Sequence, residues 1–230
     1  LGHEYLESGE LVVEALLRAR DATGVGSAEP REVPVEVVLR DGTVVFGSVR
    51  DDCGHTPGPV STSMSKLKDK YRLQAWLDLL ALTATEPDEP WRSVLLNRKD
   101  AKGAITALEL QMTGDEGASR RLAAVTALES AVELLRMGLR EPLPLFPNLS
   151  GELYRGRGSA KSWSGDAFPG DGEDTWIRTA FDHATYEQIT AMEILPHDPP
   201  GDARDRAGRY AEHLWSLYDR TAPDRPLEIP

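Results

Sequence analysis

The chain has 230 residues, enough to bury a substantial core, and its 40% hydrophobic and 28% charged content excludes a disordered polymer. Lys and Arg number 26 against 38 Asp and Glu, a net charge of −12 that argues against an extended phosphate-binding surface, so any contact with DNA has to be local. A single cysteine, Cys53, excludes an internal disulfide and a cysteine-built zinc site, and it points to a reducing, cytoplasmic setting.

Ser8 is placed to cap a first helix whose apolar positions Leu11, Ala15, Leu16 and Ala19 recur at helical spacing. After the breaker "ATGVGSAEP", the runs "VPVEVVL" (33–39) and "TVVFGSV" (43–49) flank Asp41-Gly42 and predict two antiparallel strands. "DDCGHTPGP" reads as a loop and "VSTSMS" (60–65) as a third, less apolar strand. Leu73, Trp76, Leu77, Leu80, Ala81 and Ala84 predict an amphipathic helix over 69–84. "WRSVLLNR" and "AITALELQM" around "KDAKG" predict a second hairpin. The longest helix is expected over 116–138, with Leu122, Val125, Leu128, Val132 and Leu135 as its apolar stripe, ended by "EPLPLFP".

Beyond it, "YRGRGSAKSWSGDAFPGDGED" reads as a long loop, exposed or ordered by a partner. Short helices in "DTWIRTAFD" and "ATYEQITAMEIL" follow, then a final helix burying Tyr210, Leu214, Leu217 and Tyr218. The expected division is a core over 1–145 and a loop-rich helical extension over 146–230. No window offers the roughly 18 apolar residues of a membrane span, "LGHEYLESGE" lacks the regions of a signal peptide, and the start at Leu1 suggests a piece of a longer protein.

A helix, three strands and a helix carrying Gln74, with Gly47 and Asp51 in a G-x-x-x-D strand end, resemble the PD-(D/E)XK nuclease core of the RecB-like branch. The ordered blocks "FGSVRDD", "YRLQAWLDLLALTA", "LLRMGLREPLPLFPNLSGELY" and "GEDTWIRTAF" resemble the C-terminal domain of RecC, the gamma subunit of exodeoxyribonuclease V. The fold class this implies is α/β (α+β): a degenerate restriction-endonuclease-like core with a mixed β-sheet flanked by helices, and a helical C-terminal portion. The resemblance also implies a helicase-nuclease complex processing double-strand breaks for recombination, in which this domain cuts nothing and contacts RecB-like and RecD-like subunits and a double-stranded DNA end or strand junction. Mg2+ and ATP then serve the partner subunits, and no cofactor, small-molecule substrate or membrane is expected for the domain itself.

A metal-dependent phosphodiesterase needs clustered acidic oxygens to hold Mg2+. Asp51 suits one such role, but with Lys66 in the lysine position the second carboxylate is replaced by Met64, whose thioether is a poor ligand for a hard cation. No catalytic or metal residue is therefore expected, and Gly47, Asp51 and Gln74 are vestigial motif positions. A divergent active nuclease, recruiting Glu10 or Glu14 beside Asp51 and Asp52, is the alternative; as structure alone, Asp51 and Asp52 read as solvated loop acids. The five histidines share no ligand spacing, and no Gly-rich phosphate loop or G-x-S-x-G elbow occurs. Two basic clusters are candidate DNA or partner contacts: Lys66, Lys68 and Lys70, with Arg72 beyond them, and Arg155, Arg157 and Lys161 next to Trp163. Solvated surface charge is the competing reading of both, and Trp76, Trp176 and Trp215 read as core or interface residues.

Overall fold

The computed structural model describes residues 2–25, 29–52, 54–165 and 169–229, with side chains from residue 9 onward. Cys53 and the side chains of His3 and Ser8 lie outside the described residues, as does part of the 154–174 segment. The chain forms two compact units, 1–129 with 219–230, and 130–218.

In the first unit, α1 (Gly2–Ala22) begins six residues before Ser8, so Ser8 sits inside the helix rather than at its cap. Val12, Leu16 and Ala19 bury against Val94 and Leu96, while Leu11 is left half exposed. The strands β1 (Arg31–Val38) and β2 (Val44–Asp51) pair antiparallel in the expected hairpin. Its loop is a three-residue one: Gly42 N–H donates to Leu39 O, Leu39 N–H donates to Thr43 O, and Gly42 takes φ 83°, where a side chain would be strained.

The third strand, β3 (Val60–Ser63), does not join that hairpin. It pairs in parallel with β4 (Arg92–Arg98), which pairs antiparallel with β5 (Ile105–Gln111), and β5 with the short β6 (Arg225–Pro226). Among the described residues the strands form a mixed four-stranded sheet in the order β3-β4-β5-β6 and a separate two-stranded ribbon, β1-β2, so the third strand of the sequence pairs with the second hairpin rather than the first. Strand β4 is buried at five successive positions, which requires cover on both faces. α1 takes the Val94 and Leu96 side; α2 (Asp69–Thr85) packs against β4 and β5 as well as β1. Residues 79–84 of α2 are all buried, so its second half is central rather than amphipathic, while Leu77 is exposed.

Within this unit Trp76 Nε1 donates to Thr221 Oγ1 at 2.9 Å. Leu227 and Ile229 pack on the α1 cluster, and Leu227 N–H donates to Ala107 O at 3.0 Å. The long helix α3 (Gly117–Gly138) falls where it is expected but buries Ala124, Ala127, Leu128 and Leu134, leaving Leu122 and Leu135 exposed. The boundary between the units falls inside α3 and inside α8 (Arg206–Thr221).

In the second unit, α4 (Leu149–Tyr154), α5 (Ala160–Ser164), α6 (Thr175–Ala180) and α7 (Tyr186–Ile189) are short, and a side-chain cluster of Phe146, Leu149, Trp163, Ile189 and Ala207 joins them. The segment expected as one long loop therefore carries α5, a 3-10 turn at Asp171–Glu173 and two buried side chains, Trp163 and Asp171. Asp171 holds the start of α4 from 22 residues away, accepting from the N–H groups of Asn148 at 2.9 Å and Leu149 at 2.7 Å. Tyr210, Leu214 and Tyr218 of α8 are buried as expected, with Trp215 beside them and Leu217 half-buried. No described helix is long and apolar enough to cross a membrane.

Candidate nucleic-acid interface

Strand β2 carries two of the three vestigial motif positions on one face, Gly47 exposed and Asp51 buried at its end. Asp51 is 1% exposed, so it is no solvated loop acid. Its Oδ1 accepts from Gly58 N–H at 2.8 Å and its Oδ2 from Arg31 Nε at 2.9 Å. Neighbouring Asp52, also buried, accepts from Val60 N–H at 2.8 Å and Arg50 Nε at 3.0 Å. The two carboxylates fasten the chain after β2 to the start of β3. Gly58 is required there, because at φ 134° a Cβ would collide with the Arg92 carbonyl.

This donor set does not fit Mg2+. Both Asp51 oxygens are taken by N–H donors, Met64 is half exposed with no carboxylate in its place, and a hard cation needs several free acidic oxygens. Glu10 and Glu14 are exposed on α1, with Glu14 3.9 Å from Arg18. Among the described residues no group of three or more His, Cys, Asp and Glu is placed to hold a metal ion. Gln74 is exposed and its Nε2 donates to Asp78 Oδ1 at 2.9 Å, on its own helix. Burial pushes the Asp78 carboxyl above its ordinary range, and the Gln74 bond only partly offsets this.

The lysine segment runs from β3 into α2. Ser65 N–H donates to Ser63 Oγ at 3.1 Å and buried Asn97 donates to Ser65 O at 3.3 Å, which fixes the backbone just before Lys66. Lys66, Lys68 and Lys70 are all exposed, with Leu67 half-buried between the first two. The Lys70 ammonium lies 5.1 Å from the Tyr71 ring. A hydrogen bond from Ser65, with Lys70 nearby and burial opposing, holds the Tyr71 hydroxyl below its usual range. Arg72 leaves the set: it pairs with Asp69 at 3.1 Å and Asp224 at 2.8 Å.

The second cluster is dispersed. Arg155 is half-buried with its guanidinium 4.7 Å from the Trp215 ring, whereas Arg157 and Lys161 are exposed. Trp163 is 4% exposed, meets Phe146 edge-on at 4.9 Å and donates from Nε1 to Ala184 O at 2.9 Å. A ring so enclosed cannot stack on an unpaired base, and its candidacy as a DNA contact is corrected. Trp76 and Trp215 are buried, whereas Trp176 stands 83% exposed. Sequence reading missed Arg31 and Gly58 as the partners of Asp51. Only the cross-strand register, Arg31 opposite Asp51, reveals the first.

Residues 1–158 match the family model of the RecC C-terminal domain. Over 132 residues, 57% of this chain, it is 33% identical to the RecBCD enzyme subunit RecC of Mycolicibacterium smegmatis, covering 11% of that protein. Over 191 residues, 79% of this chain, it is 28% identical to the RecBCD enzyme subunit RecC of two strains of Mycobacterium tuberculosis, covering 16% of each. The chain thus spans only 11 to 16% of the length of these curated relatives.

Proposed function

The chain belongs to the RecC C-terminal domain family, and on that premise we propose that it is a non-catalytic part of an exodeoxyribonuclease V gamma subunit, retaining a nuclease-like scaffold without its chemistry. In this reading it contacts RecB-like and RecD-like subunits and takes part in processing double-stranded DNA ends in the cytoplasm, while Mg2+ and ATP are used by those partners. The observation that carries it is the environment of Asp51: a buried carboxylate whose two oxygens accept from Gly58 N–H and Arg31 Nε, outside any metal-holding group of side chains among the described residues, suits a structural fastener better than a cation ligand. The presentation of Lys66, Lys68 and Lys70 on an anchored backbone supports that segment as the local place where phosphate is met. Arg157 and Lys161 are exposed enough to serve as secondary contacts.

The test is an endpoint nuclease assay on linear duplex and single-stranded DNA with Mg2+ or Mn2+. The purified chain is expected to cut neither, and cleavage that disappears in Asp51→Asn overturns the reading.

A further inference from the structure

The proposed function leaves Trp176 without a role. It is 83% exposed, yet it sits on a well-anchored element. At the N-terminal end of α6, Asp174 Oδ1 accepts from Trp176 N–H at 2.9 Å and from Ile177 N–H at 3.1 Å. On the next positions Ile177 and Phe181 pack against the buried Phe146 and Trp163 cluster, with Phe181 meeting Phe146 at 5.3 Å. At the C-terminal end the chain turns through two successive left-handed residues, Asp182 at φ 49° and His183 at φ 57°. That turn is held by His183 N–H donating to Arg178 O at 2.8 Å and by Arg178 Nη2 lying 3.1 Å from His183 Nδ1. Neither residue is a glycine, so this backbone is strained and is kept in place by its surroundings. The result is a large aromatic side chain presented outward from a fixed short helix, which reduces the ordering cost of burying it against another molecule.

The charges that flank it in the sequence select the kind of molecule. Between residues 173 and 187 the exposed charged groups are the carboxylates Glu173, Asp174, Asp182 and Glu187 against the single guanidinium of Arg178. A nucleic acid would be repelled by that balance. A protein pocket lined by apolar groups and rimmed by Lys or Arg complements it, and tryptophan is among the residue types that most often dominate protein interfaces. We propose that Trp176 is the anchor of a protein-docking surface on the 130–218 unit, received by an apolar pocket with a basic rim on another subunit. The inference rests on the reading of the chain as part of a multisubunit assembly, and names the residue and the pocket chemistry of one contact.

The experiment measures binding of the protein, at its natural length, to the co-purified RecB-like and RecD-like subunits of the same genome, immobilised on a sensor. Trp176→Ala is expected to weaken binding about 30-fold or more, the usual scale for a dominant interface residue, while Trp176→Phe retains most of the affinity. Glu173→Lys is expected to weaken binding several-fold, by an amount that shrinks as salt is raised. Thermal melting of the Ala variant is expected to match the parent, because little of the Trp176 side chain is buried within the chain. Parent binding together with an Ala variant within about threefold of it, against the 30-fold expected, overturns the docking site and leaves the assembly reading standing. No binding by the parent overturns both. Loss of single-stranded oligonucleotide binding in Trp176→Ala, at unchanged subunit affinity, replaces the protein partner with a nucleic acid.

Discussion

A carboxylate at the end of a strand can hold a metal or hold the chain, and the hydrogen-bond partners decide which. Asp51 holds the chain. Asp51→Ala leaves the buried Gly58 N–H without its acceptor, a loss of about 1–3 kcal/mol of stability, read as a lower urea midpoint. Asp51→Asn, whose amide oxygen still accepts from Gly58, is expected to lose less. Arg31 adds little to this balance because its side chain is 58% exposed and is solvated without its partner.

Asp198 is the counterpart in the second unit. Burial pushes its carboxyl upward, but the Leu195 N–H at 2.7 Å and Arg206 Nε at 2.9 Å outweigh that and hold it below its ordinary range. A carboxyl lowered in the folded state contributes stability above its unfolded pKa, and that contribution disappears as pH falls through the folded value. Asp198→Asn, which leaves the nearly buried Arg206 short of a counter-ion, is expected to cost about 3 kcal/mol at pH 7. The gap between variant and parent should close as the medium is acidified below the carboxylate range, as denaturation curves at the two pH values would read. In the same environment burial, and then the Asp198 charge, push the Tyr210 hydroxyl up to about 12, so Tyr210 stays neutral throughout that titration.

At the scale of elements, α3 separates length from orientation. Its span is legible because helix formers continue until "EPLPLFP", but of the stripe of large residues at 122, 125, 128, 132 and 135 only Leu128 is fully buried, with Val125 and Val132 half-buried and Leu122 and Leu135 exposed. The buried face passes through Ala124 and Ala127, whose small side chains permit close approach, and a reading weighted by side-chain size passes over them. Leu128→Ala is therefore expected to cost about 2–5 kcal/mol and Leu122→Ala under about 0.5 kcal/mol, a contrast that equilibrium denaturation reads directly.

The two hairpins were legible for a local reason: Asp41-Gly42 and Gly103, at φ 88°, sit where the turn needs them. The pairing of β3 with β4 was not, since a parallel partner 34 residues along the chain leaves no mark in β3 itself. The candidate site divided in the same way. Exposed lysines follow from composition, but whether an aspartate or a tryptophan is enclosed depends on remote partners such as Gly58 for Asp51 and Phe146 for Trp163.

For the molecule as a whole, a net charge of −12 opposes any extended contact with a polyanion. If duplex DNA is met mainly at Lys66, Lys68 and Lys70, as proposed, the salt dependence should be shallow, with up to about 0.9 in the slope of log K against log salt for each lysine that meets a phosphate. Changing Lys66, Lys68 and Lys70 together to Gln is expected to remove most of that slope, as measured by fluorescence anisotropy of a labelled duplex over a salt series.

The return of residues 219–229 to the first unit has a temporal consequence. During synthesis the α1 cluster lacks Leu227 and Ile229, and β5 lacks its outer neighbour, until residues 225–229 have left the ribosome. A nascent chain halted after α7 would leave apolar surface uncovered, and it should recruit chaperones until residues 225–229 emerge to cover it.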